Sequence, residues 1–351
     1  MKTKVLFSAF FLLLSLPLFA RENTDVIVMK NGDRMTGQVK GLFDGVLYVS
    51  LPYVIQTFSV DWTKVARLES KQLFIVTTAD GSVYTGVLNF PGTEQGKPVR
   101  IEVLETPRQQ MAVDRDKVVS MAWASNRFWQ RFNGAVNTGT IYSKGNQNVQ
   151  YTLGSQVEYL QERWSASSSW SSNLSNSSGA PTASRNEFGF AFSHLLPWNN
   201  YFYSGLSDFL QSTEQEIQLQ SSVGAGIGHL WKKPNRARFS LLGGLAWQNT
   251  QYNQSTVGAG TQNAAAAIIA SDLQLFKFNK TTLDVTDLLF TMLNEPGRVK
   301  LNMNATYYLK ITGNLSWNVS FYGNWDNQPP SHLAGSDYGT SSGLSWTFGM
   351  K

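Results

Sequence analysis

Three histidines, no cysteine and 24 acidic side chains bound the chemistry open to these 351 residues. Without cysteine there is no thiolate nucleophile, no thiolate metal ligand and no disulfide. His194, His229 and His332 never stand at the His-x-x-x-His spacing that puts two imidazoles on one helix face. Serine is so abundant that composition singles out no Ser-His-acid set. Alternation places His194 with Phe188, Phe190 and Phe192, and His229 with Ile227 and Trp231, on apolar faces near strand ends. His332 follows Pro329-Pro330 in an expected loop. Asp284, Asp287, Asp326 and Asp337 are the acidic candidates for a calcium site in outer loops, but their spacing fits no calcium loop. Solvating loops or pairing with cations is their expected role. No catalytic residue, metal ligand or cofactor is assigned, and enzymatic activity is not expected.

The elements that would position these groups are strands. From Phe128 onward, about ten residues alternate apolar with polar, then a turn follows, and the pattern repeats. Leu315, Trp317, Val319, Phe321 and Trp325 oppose Ser316, Asn318, Ser320, Asn324 and Asp326; Val299 to Leu309 oppose Lys300 to Lys310 in the same way. Soluble sandwich strands run about five or six residues, whereas strands of about nine to eleven suit a tilted bilayer crossing. Twelve strands are expected, with tight even-numbered turns such as Lys232-Lys233-Pro234-Asn235 and Ile311-Thr312-Gly313. Longer polar loops are expected at 176–185, 250–262 and 327–336. Short turns on one side and long loops on the other is the rhythm of an outer-membrane barrel with its short turns in the periplasm. The wet faces must then point inward, which assigns Glu158, Arg238, Lys300, Lys310 and Asp326 to the lumen. Trp164, Trp231, Trp247 and Trp325 fall near strand ends, where indole suits the headgroup zone.

Upstream of the strands the composition changes. Residues 21–125 carry 12 basic and 12 acidic groups in 105 positions, residues 126–351 carry 15 and 12 in 226, and nine of the eleven Trp lie in the second segment. The first segment repeats itself. Asn31-Gly32-Asp33-Arg34-Met35-Thr36-Gly37 is echoed by Asp80-Gly81-Ser82-Val83-Tyr84-Thr85-Gly86, and Val60-Asp61-Trp62-Thr63-Lys64-Val65 by Val113-Asp114-Arg115-Asp116-Lys117-Val118. Two small bent β-modules of SH3-like or Sm-like size, related by duplication, are expected over 21–125. Their Asn-Gly and Asp-Gly pairs serve as tight turns. Residues 1–20, with Lys2 and Lys4 before an apolar run and Ala20 at its end, read as a secretory signal peptide. The remaining charge of +3 is too weak a bias for nucleic-acid binding.

The fold class is therefore all-β: a duplicated β-module over 21–125, then an antiparallel transmembrane barrel over 126–351. Leu344, Trp346 and Phe348 share one face of the last strand, which resembles the C-terminal signal read by the barrel-assembly machinery. The Asn31–Gly37 module, with the barrel segments Tyr322–Pro330 and Gly343–Gly349, resembles the salt-induced outer-membrane proteins (domain of unknown function 481). That resemblance implies an outer-membrane barrel and supplies no activity or catalytic residue. Two readings of function follow from the mixed lumen charges. Standing apart across water they would set the profile of a narrow passive channel; paired, they would cement a closed, envelope-stabilising barrel. In the alternative, the barrel anchors a periplasmic module that docks peptidoglycan or a protein partner. Outer-membrane lipids and the assembly machinery are the expected partners in every case, and a monomer is the expected state.

Overall fold

The computed structural model describes residues 25–348 apart from 55–56, 90–99, 107–108, 125–127, 144–147, 162, 177–180, 198, 234–235, 254–259, 278–279 and 330–333. The expected signal peptide and His332 lie outside the described residues.

The first nine strands are β1 (Asp25–Met29), β2 (Arg34–Phe43), β3 (Val46–Ser50), β4 (Thr57–Asp61), β5 (Val65–Thr78), β6 (Val83–Asn89), β7 (Arg100–Thr106), β8 (Gln109–Asp114) and β9 (Val118–Trp123). They form one sheet in the order β4-β3-β2-β1-β5-β6-β7-β8, and β9 folds across to pair with both β2 and β5. The duplication is visible in the details. Asn31 and Asp80 each accept the backbone N–H two residues on, and Gly32 and Gly81 follow them at φ 93° and 87°. Each second motif closes on a 3₁₀ turn, Trp62–Lys64 or Arg115–Lys117. These turns dock reciprocally: the Trp62 indole N–H donates to the Arg115 carbonyl at 3.2 Å, and Arg115 Nη1 donates to the Val65 carbonyl at 2.6 Å. The two copies are not separate modules, however. They share β5, whose register breaks between Ser70 and Leu73 where one copy hands over to the other. They also share one core, in which Ile27, Leu42, Leu47 and Leu68 pack with Phe74, Leu88 and Met121. A module of half this size would bury too little apolar surface to stand alone.

A short 3₁₀ turn, Phe128–Arg131, leads into the barrel. Its twelve strands are β10 (Phe132–Ser143), β11 (Asn148–Leu160), β12 (Trp164–Asn176), β13 (Ala183–Leu195), β14 (Tyr201–Ser212), β15 (Ile217–Lys233), β16 (Ala237–Tyr252), β17 (Thr261–Lys277), β18 (Thr281–Met292), β19 (Val299–Thr312), β20 (Leu315–Asp326) and β21 (Ser336–Phe348). Each pairs antiparallel with the next, and β21 pairs with β10 to close the cylinder, from Gly134↔Phe348 to Gly139↔Gly343. The strands are longer than a bilayer crossing requires, up to 17 residues in β15 and β17, and they take in the ends of two expected outer loops, Ala183–Arg185 and Thr250–Tyr252 among them. The turns at the β10 start and β21 end of the cylinder are tight. Asn199 and Asn200, between β13 and β14, take the left-handed conformation that asparagine tolerates.

Candidate functional site: the barrel interior

Alternation sorts every strand into an outward and an inward face. Outward lie Trp231, Leu245, Trp247, Ile269, Leu309 and Trp346, all strongly exposed. An apolar area of this extent far exceeds what soluble monomers leave open. A chain of touching rings runs round the short-turn end: Phe132, Tyr159, Trp164 and Phe192 follow at centroid spacings of 5.0–5.7 Å, and Tyr201, His229, Trp231 and Phe239 at 4.4–5.4 Å. His194 stacks on Tyr203 at 5.1 Å. Both histidines thus belong to an external aromatic belt. Trp247 and Trp325 stand eight residues up their strands from Phe239 and Trp317. At about 3.3 Å per residue and a tilt of about 40°, that separates the two belts by about 20 Å.

Inward, the wall is divided. On one side Leu242, Ala266, Ile268 and Phe290 form a dry cluster with Phe202 and Leu206 packed on it. They lie against glycines of β15: a Cβ at Gly226 would meet Leu242 Cδ2 at 2.6 Å, and one at Gly228 would meet Phe202 Cζ at 2.5 Å. The opposite side is built of small polar residues, with Ser165, Ser167, Ser169 and Ser171 of β12 alternating inward. Several inward atoms are buried without a protein hydrogen-bond partner: Asp208 Oδ1, Asn318 Nδ2, Asn324 Nδ2 and Ser345 Oγ.

Side chains cross this space near the loop end. Arg185 on β13 donates to Glu187 at 2.7 Å, approaches Asp337 on β21 at 3.7 Å, and lies over the Tyr322 ring of β20 at 5.0 Å. Ser212 on β14 reaches the same Asp337 carboxylate at 3.3 Å. Lys300 Nζ on β19 donates to Gln248 Oε1 on β16 at 2.6 Å, and Gln248 passes the chain on to Ser222 at 3.1 Å. A cavity of about 30 Å³ beside Lys300, Tyr252 and Asp326 has room for about one water.

The residues expected in the lumen share the inward face and divide between its two ends. Lys300 and Asp326 are at the loop end, where Asp326 takes Arg298 at 2.7 Å. Hydrogen bonds from Arg298 to Asp326 and Glu295 outweigh its burial and hold its guanidinium pKa above the ordinary value. Glu158 and Arg238 are at the short-turn end, within electrostatic reach of each other and of Asp272 and Asp284. Lys310 leaves the ring of lumen charges, and its ammonium donates to Ser59 of the β-module at 3.1 Å. Arg185 and Arg298 were not singled out by sequence: Arg298 precedes β19 in a connection with no period to mark it, and Arg185 sat in an expected loop. The four aspartates do not meet in outer loops as a calcium site would need. Asp284 and Asp287 lie inside β18 on opposite faces, and Asp326 and Asp337 are taken by arginines. Among the described residues no group of three or more His, Asp and Glu could hold a metal ion.

A family model described as protein of unknown function, DUF481, matches residues 136–348, more than half of the chain. The chain belongs to this family. The matched DUF481 segment covers β11–β21 whole and β10 from Val136 onward. No curated protein matches. Among solved structures the DUF481 barrel is similar to the NanC porin, at 11% identity and TM-score 0.39 over 61% of this chain and 99% of that one. It is also similar to the translocator domain of the autotransporter NalP from Neisseria meningitidis, at 13% identity and TM-score 0.33 over 62% and 86%. The β domain of the Bordetella autotransporter BrkA is similar at 8% identity and TM-score 0.31 over 62% and 98%.

Proposed function

We propose that this protein is an outer-membrane barrel of a Gram-negative-type envelope that offers a narrow passive path to small, polar, largely uncharged solutes. The observation that carries the reading is the divided interior. The apolar cluster fills one side, while the serine-lined side keeps buried polar atoms that only water or a polar solute can satisfy. The external belts, about 20 Å apart, suit the hydrocarbon band of an outer membrane, which is about 25 Å tall. Lys300 and Arg185 narrow the loop end instead of standing free, so conductance is small. The short turns, and with them the β-module, face the periplasm. Trp164, Trp231, Trp247 and Trp325 anchor the barrel in lipid, and Leu344, Trp346 and Phe348 present it to the assembly machinery.

The test is single-channel recording of the refolded full chain in a planar bilayer, after its heat-shifted gel mobility confirms a folded barrel. Small discrete steps are expected, and Arg185→Ala is expected to enlarge them by removing the side chain that spans from β13 towards β21. A folded barrel silent as wild type and as Arg185→Ala would replace the channel with the envelope-stabilising reading. That second reading is favoured by the cross-lumen ties themselves.

A further inference from the structure

The β-module touches the barrel rim at two places, and their positions in the strand order say what it covers. Asn200, buried in the turn between β13 and β14, donates its side-chain amide to the Ala79 carbonyl at 2.7 Å. Gly81 at φ 87° leans so closely on Asn200 that a Cβ there would strike its backbone nitrogen at 2.9 Å. Lys310, at the foot of β19, donates to Ser59 and lies 5.5 Å from the centre of the Tyr48 ring. A cavity of about 340 Å³ beside this contact is lined by Thr57, Phe58 and Ser59 of the module and by Lys310, Ile311 and Thr312 of the rim. The β13–β14 and β19–β20 turns are six strands apart in a ring of twelve, hence diametrically opposite. A body resting on both spans the opening. Two acidic turn tips lie within electrostatic reach of two cations on neighbouring positions of β15 and β16: Asp44, beside Gly45 in the β2–β3 turn, of Arg238, and Asp80, in the β5–β6 turn that rests on Asn200, of Lys232.

We infer that the duplicated module is a gate seated across the short-turn mouth, held by its Asp44 and Asp80 tips and by the Asn200 and Lys310 rim contacts. Its displacement opens the lumen. The duplication supplies the width: one copy brings Tyr48 and Ser59 to the β19–β20 side, and the next brings the Ala79–Gly81 turn to the β13–β14 side. The contacts are few and partly exposed, as a seat that must release requires. A seat of two hydrogen bonds and two charge pairs leaves a measurable open fraction. This gate rests on the channel reading above.

The experiment keeps the full chain and uses its freedom from cysteine. In the lock, Ser59→Cys and Thr312→Cys, which line the same cavity, are joined by a short bis-methanethiosulfonate crosslinker that forms one disulfide with each thiol and expels methanesulfinate. In the release variant, Asp44→Lys with Asp80→Lys sets like charges against Arg238 and Lys232. Each is recorded in planar bilayers. Separately, a Ser240→Cys reporter inside β16 is labelled with a water-soluble maleimide, with and without the release substitutions. The gate predicts loss of current steps in the lock and their return on reduction. It also predicts a rise of about tenfold in open probability and in labelling rate on release, since two charge pairs are together worth about one decade. Steps that neither lock nor release alters would overturn the gate and leave the channel standing. A folded barrel silent in every arm would overturn the channel, and an unchanged labelling rate would then overturn the seating as well.

Discussion

Asp287 breaks the rule that the outer face otherwise obeys. It stands midway along β18, pointing outward beside Met303, and takes a hydrogen bond from Ser271 at 2.5 Å. A cationic side chain at the midplane of a barrel's lipid face costs about 2–4 kcal/mol, and an acidic one less. Asp287→Leu is therefore expected to stabilise the barrel by about 1 kcal/mol in urea unfolding from lipid vesicles. A loss of stability would mean that the carboxyl meets something other than lipid. Arg185 behaves in the opposite way, because its charge is both buried and matched. Arg185→Met strands Glu187 and Asp337 and should cost about 3–5 kcal/mol, while adding Glu187→Gln and Asp337→Asn should recover most of it. Equal stability of the single and triple variants in the same titration would show that the three groups do not act as a unit.

Among the elements, β14 and β17 show where the reading of sequence stops short. Tyr201–Leu210 and Ala264–Phe276 alternate poorly because their inward positions are apolar too: Phe202 and Leu206 in one, Ala266 and Ile268 in the other. A strand with two dry faces loses the contrast on which period-two reading depends. The signal was nevertheless present on the neighbouring strand, where Gly224, Gly226 and Gly228 occupy successive wet positions of β15 and leave space for bulk from elsewhere. The repeats of the first segment, by contrast, were legible because turn residues are fixed by backbone conformation. That they share a core was not, since nothing local marks which strand serves both copies. The β5–β6 turn also carries a pH dependence. The Thr78 hydroxyl, with Ser82, holds the Asp80 carboxyl below its ordinary range. A depressed pKa contributes stability that is full above the unfolded value near about 4 and disappears as pH falls through the folded value. With the gate in place, current steps should become more frequent only as pH falls past the ordinary carboxylate range and through the lowered Asp80 value, where Asp80 no longer faces Lys232 as an anion. Asp80→Asn should remove that response, and a rise that survives Asp80→Asn would assign it to another group.

At the scale of the whole molecule, strand parity governs the arrangement. Twelve strands return the chain to the end at which it entered, so Phe348 finishes level with Gly134, two residues into β10, and the module sits at the same end by construction. The sequence made this parity readable through its turns, but not the six-strand separation of the rim contacts, which depends on side chains meeting across 121 and 251 residues of chain. The closure itself has one further consequence. The β10–β21 seam holds six registered residue pairs, whereas β11–β12 and β12–β13 hold twelve each. Ladder strength is shared unevenly round the hoop, and a hoop under tension parts where it is least stitched. Lateral pressure from the bilayer should therefore strain this junction first, giving the amides of Gly134–Gly139 the fastest hydrogen exchange of any paired wall segment and making it the line along which the cylinder unrolls.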